Sequence, residues 1–169
     1  MGDQIATRNS RVAIIILSAL LVGTLDLSAA FTDYYISSGK NPIPVVSKYI
    51  ASGVFGTEAF SGGNSMIVLG ILFHYFIASS FTVFFFWLYT RTSILPKNKI
   101  LTAILYGIFM WIVTVLLIIP LSNVPPRKPL EFWKVVKAIS ILIVMIGIPL
   151  VLIAGKYFRR KGDPQIATA

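Results

Sequence analysis

A chain of 169 residues that is 56% hydrophobic and 12% charged, with a mean hydropathy of +0.83, is too apolar for a water-soluble domain. It has no cysteine, which excludes disulfides, thiol redox chemistry and cysteine metal sites, and one histidine with six carboxylates is a poor basis for a zinc site. The net charge of +9 sits largely on Lys and Arg at the ends of apolar runs. There it anchors helices to anionic lipid headgroups, and no soluble basic domain with stacking aromatics is present to bind nucleic acid.

A tail over residues 1–10 precedes the first apolar run, near 11–36, which exceeds the roughly 20 residues needed to cross a hydrocarbon core. The run is too long for a cleaved leader and ends in Asp33-Tyr34-Tyr35 rather than a small-residue cleavage site. Asp26 lies inside it, and a carboxylate in a bilayer must be paired, hydrated or protonated. Ala19, Gly23, Asp26, Ala30 and Asp33 follow 4-3-4-3 spacing and share one arc of a helix. Small residues on that arc let a second helix approach, so Asp26 is expected to face protein.

The stretch from Gly39 to Asn64 is not an ordinary loop. Pro42 and Pro44 open it, and Val45, Val46, Tyr49, Ile50, Gly53 and Val54 recur at helical spacing, with Ser47, Lys48 and Ser52 outside that arc. The spacing predicts a helix near 44–60, too short to span. It either lies in the interface or re-enters the protein, with Glu58 at its far end.

The second span is predicted near 65–90. Gly70 and Ala78 frame His74 on it, again a polar group between small residues. Asp26 and His74 each lie about 14–15 Å along the helix from the end shared by the first two spans, counting the helical rise. The two are expected to pair, either as a proton- or ion-binding site or as a buried hydrogen bond that fixes helix register. The third span, near 99–121, carries Ala103, Gly107 and Thr114 near one face, Trp111 mid-span, and Pro120 at its close. Pro129 opens a new helix with Glu131 in its first turn and Phe132 and Trp133 as interfacial anchors. The fourth span is expected near 137–157, kinked at Pro149, followed by a basic tail over 159–169. Nine of the fifteen Lys and Arg fall in the two tails and the second loop or at the span ends beside them, which by the positive-inside rule puts both termini in the cytoplasm. Arg127, Lys128, Lys134 and Lys137 of the third loop then face outward, towards lipid headgroups or an anionic partner.

Gly23-Thr24-Leu25-Asp26 with Ala29-Ala30, the stretch Tyr49 to Gly56 with Ala59-Phe60-Ser61-Gly62-Gly63, and Leu69-Gly70 with His74 to Ala78 resemble a family of small four-span bacterial inner-membrane proteins of the YagU type. Tyr106-Gly107, Pro120-Leu121-Ser122 and Gly147-Ile148-Pro149 continue the likeness in the same order. The resemblance implies location and fold, not a reaction. Where similar proteins carry an asparagine in the third span, this chain reads Met110-Trp111-Ile112-Val113-Thr114, so the likeness implies no polar contribution from that helix.

The expected architecture is an all-α four-helix transmembrane bundle with one short interfacial or re-entrant helix. Three functions compete. The first is a non-enzymatic inner-membrane protein acting by association, as an accessory subunit or homo-oligomer, without cofactor or metal. The second is a proton- or ion-linked transporter or channel component using Asp26 and His74, with Asp33 and Glu58. The third is a lipid-modifying membrane enzyme with His74 as base, for which no nucleophile or metal set is evident.

Overall fold

A computed structural model of the chain describes residues 2–92, 95, 97–126, 129 and 131–160, with side chains from Ser10 to Arg159. Arg127 and Lys128 lie outside the described residues. The protein is all-α, with no strand among the described residues. Helix α1 (Gly2–Ser38), α2 (Pro42–Phe55), the single turn α3 (Glu58–Ser61) and α4 (Asn64–Arg91) are followed by α5 (Lys99–Leu121) and α6 (Phe132–Arg159). Among the described residues four stretches are long and apolar enough to cross a bilayer: Ser10–Ser38, Asn64–Arg91, Lys99–Leu121 and Phe132–Arg159. The protein is a four-helix integral membrane protein. Its fourth span starts one turn earlier than the hydropathy pattern placed it. Glu131 precedes the helix rather than sitting in its first turn, and its carbonyl accepts from Val135 N at 3.1 Å.

Side chains and prolines set the helix ends. Asn41 Oδ1 caps α2 by accepting from Ile43 N at 3.1 Å, with Pro42 at the first helical position, where its missing N–H costs nothing. Asn98 Oδ1 caps α5 by accepting from Leu101 N at 3.0 Å. Gly39 and Gly56 terminate α1 and α2 at φ of 67° and 58°, the left-handed region other residues avoid. The break at Gly56 divides the 44–60 segment into α2 and the separate turn α3.

Ahead of Pro149, where the sequence leads one to expect a kink, the helix carries a π-turn. Residues Ile143–Gly147 are π-helical, and Ile148 N donates to Ile143 O, five residues back. The same device precedes Pro120, where Val113–Ile118 is π-helical and Ile119 N donates to Thr114 O. A proline ring crowds the carbonyl four residues before it and offers that carbonyl no N–H; a widened turn accommodates the ring.

Packing divides the bundle into two groups bridged by α1. On one side α4 packs against α1 and α2; on the other α5 packs against α6, and α1 touches both. The α5–α6 contact is a close small-residue crossing. A Cβ at Gly147 would meet Ala103 O at 2.5 Å, and one at Gly107 would meet Ile143 Cγ1 at 2.5 Å. Tyr157 Oη lies 3.3 Å from Ser10 Oγ, so the first and last spans meet at one end, the terminal end. Here the core is aromatic and closed: Phe85, Tyr89, Tyr106 and Phe158 are buried, with ring centroids of Phe85 and Tyr106 4.7 Å apart. Ala19 is buried on the same side of α1.

On helix α2 it is the side outside the apolar arc that is buried. Ser47 and Ser52 are 0% exposed, whereas Val45 is 39% and Val54 52% exposed. The small, polar side of α2 packs on α4, and Val45 and Val54 point away from the protein. That suits a helix immersed in hydrocarbon better than one floating on water. Gly70 makes the contact possible, because a Cβ there would overlap the carbonyl of Ser47. Gly70 therefore meets α2, not the Asp26 face of α1. The far end of α2 is held by Asn123, whose N donates to Gly53 O at 3.0 Å and Nδ2 to Val54 O at 2.8 Å.

Gly70→Leu is expected to destabilise the protein by about 1–3 kcal/mol by forcing α2 away from α4. Gly53→Ala, whose added methyl would find its nearest neighbour at 3.8 Å, is expected to be tolerated. Thermal unfolding in detergent compares the two.

Candidate functional site

At the end opposite the termini the two helix groups separate. A cleft of about 750 Å³ opens between the α1/α2/α4 group and the α5/α6 pair. Its mouth carries Asp33 and Ser37 from α1 and Glu131, Lys134 and Lys137 from the start of α6. Its walls are Ile50 of α2, Ala30 of α1, Trp111, Thr114 and Val115 of α5, and Ile141 of α6. Phe81, Met110 and Ile146 form its floor and belong also to the closed core beneath. Asp26 and His74 line it together, about 15–18 Å from the helix ends at the mouth by helical rise.

The crossing of α1 and α4 positions both groups. Gly23 leaves no side chain between them: a Cβ there would stand 3.0 Å from Tyr75 Cδ1 and 3.3 Å from Ala78 Cβ. Two polar contacts exploit that approach. His74 Nε2 donates to Gly23 O at 2.8 Å. A carbonyl oxygen only accepts, so Nε2 carries the hydrogen, and in the neutral ring Nδ1 presents a lone pair. Tyr75 Oη lies 2.8 Å from Thr24 Oγ1, which itself donates to Leu20 O at 2.7 Å. The threonine has one hydrogen, so the tyrosine donates to it.

The expected pairing of Asp26 with His74 is therefore modified. The two share the cleft and interact electrostatically, but the hydrogen bond of the imidazole runs to the backbone one turn before the carboxylate. That bond is a register device in its own right. Asp33 is at the mouth, where Lys137 Nζ approaches its Oδ1 at 2.6 Å across 104 residues of sequence, both half-exposed. Lys134 Nζ lies 2.7 Å from Glu131 Oε1 in the same rim. Glu58 is exposed on α3 and does not line the cleft. Ala30 lines the cleft, Ala78 sits at the α1–α4 crossing and Gly107 in the α5–α6 contact.

Sequence reasoning missed the Gly23 carbonyl as the partner of His74, the Thr24–Tyr75 clasp and the lysine rim. The last left a trace: Glu131, Lys134 and Lys137 stand one turn apart on one face at the start of an apolar helix. Thr114 supplies a polar group from α5 to the cleft wall after all. No protein-family model, curated protein or solved structure matches this chain.

The Thr24–Tyr75 clasp is expected to be worth about 0.6–1.7 kcal/mol, the range of side-chain hydrogen bonds between membrane helices. A double-mutant cycle with Thr24→Val and Tyr75→Phe measures it. Nitrogen-15 spectra of His74 are expected to show the hydrogen on Nε2 when the ring is neutral; a neutral ring protonated on Nδ1 would contradict the bond to Gly23.

Proposed function

We propose that this integral membrane protein is non-enzymatic and works by association, holding an amphipathic molecule in the cleft at the end opposite its termini. The observation that carries the reading is the asymmetry of the bundle. The cleft has a charged rim, apolar walls and a polar group at depth, and it stops on a packed aromatic core. A volume of about 750 Å³ is within the usual range for small-molecule sites. The other charged groups of the cleft and its histidine have partners: Asp33 with Lys137 and His74 with Gly23 between helices, and Glu131 with Lys134 within one rim. That favours binding over catalysis. The excess of Lys and Arg on the terminal side supports a bacterial inner-membrane location with cytoplasmic termini and an outward-facing cleft, in keeping with the resemblance to YagU-type proteins.

Proton- or ion-linked transport is the second reading, favoured by the ionisable pair lining the cleft. It requires Phe81, Met110 and Ile146 to part, since they close the way to the other surface.

Native mass spectrometry of protein extracted in polymer-bounded native membrane discs tests the leading reading. One amphiphile per chain is expected with the wild type and none with Ala30→Trp, which fills the cleft. Equal, empty spectra from both would remove it.

A further inference from the structure

We propose that the cleft binds a hydrophobic organic cation of single positive charge, seated on Asp26. The inference rests on the cleft being a ligand site and names the class of ligand.

The charge ledger of the cleft singles out Asp26. Each of the other two carboxylates has its own lysine: Asp33 has Lys137 at 2.6 Å and Glu131 has Lys134 at 2.7 Å. Among the described residues the charges of the rim therefore balance. Asp26 receives no hydrogen bond from any described residue, and its charged neighbour is His74. The Nε2 hydrogen of that ring is committed to Gly23 O. When the imidazole is neutral, Nδ1 presents only a lone pair and has nothing to donate to a carboxylate. An ionised Asp26 beside a neutral His74 is then an uncompensated anion between apolar walls, which is strongly unfavourable.

Water in the open cleft, a proton or the positive group of a ligand relieves it, and of these only an amphipathic ligand also covers the apolar walls. The remaining surroundings suit an organic cation. Phe81 and Trp111 line the same cavity, and cations are attracted to aromatic rings. Ile77, Ala78, Met110 and Ile146 supply apolar contact for its body. A bare metal ion fits poorly: among the described residues no three acidic or histidine side chains converge. The charged groups facing Asp26 are Asp33 on its own helix, His74 on α4, and Glu131, Lys134 and Lys137 on α6. Helices α2 and α5 bring only uncharged side chains to the cleft.

The test uses the full chain in lipid nanodiscs with three probes of similar shape: tetraphenylphosphonium, tetraphenylborate and uncharged triphenylphosphine. Saturable binding of tetraphenylphosphonium is expected, at one per chain. Asp26→Asn should weaken binding about 100-fold, as loss of one partner of a buried charge pair does, while Asp26→Glu retains it. Equal binding of all three probes, unaffected by Asp26→Asn, would overturn the cation assignment. If that binding were lost in Ala30→Trp, the cleft would stand as a site for another class of ligand. No binding of tetraphenylphosphonium would overturn the assignment too, and the occupant seen by native mass spectrometry would decide the cleft separately.

Discussion

The crossing of α1 and α4 at Gly23 is the contact on which the other features rest. Hydrocarbon offers no hydrogen-bond partners, so a polar group within it must find one on another helix. Because Gly23 has no side chain, α4 comes close enough for His74 to reach a backbone carbonyl and for Tyr75 to reach Thr24. Both bonds fix the rotation of α1 against α4. With that rotation fixed, Asp26, Ala30 and Asp33, on the same arc, face the cleft rather than lipid.

The two halves of the bundle do different work. The terminal half is dense, with Phe85, Tyr89, Tyr106 and Phe158 interlocked and Tyr106 Oη donating to Phe81 O at 2.6 Å. The other half is held apart. Helix α2 is too short to cross the membrane but occupies space beside α4, and Asn123 ties it to the end of α5. The Asp33–Lys137 pair spans the gap at the rim between α1 and α6. Half-exposed, it contributes little to stability, about 1 kcal/mol at most. Its importance lies in where it sets the two helices relative to each other.

Hydropathy alone made the four spans legible, because crossing a bilayer demands a length and composition that little else does. The arc of Ala19, Gly23, Asp26 and Ala30 was legible for the same kind of reason: a polar residue among small ones on a membrane helix has to face protein. The identity of the facing partner was not. Gly70 carries the same signature as Gly23, yet it serves α2, and spacing along one helix does not say which neighbour it meets. For α2 the spacing showed an apolar arc but not which side of the helix meets protein, and the side with Ser47 and Ser52 is the buried one. The Asp33–Lys137 pair joins residues too distant in sequence for any local pattern to connect.

The π-turns ahead of Pro120 and Pro149 amount to one surplus residue in each helix. In a helix of 3.6 residues per turn one such residue rotates everything beyond it by roughly 100° about the axis. The stretch after Gly147 is therefore out of phase with the stretch before Ile143. Its inward face is Leu150, Val151, Ala154 and Phe158, while earlier the same helix turns Lys134, Lys137 and Ile141 to the cleft. One continuous rod thus presents two independently angled surfaces. Shortening it by a single position within the wide turn would bring those surfaces back into phase and set the rim and the core at odds.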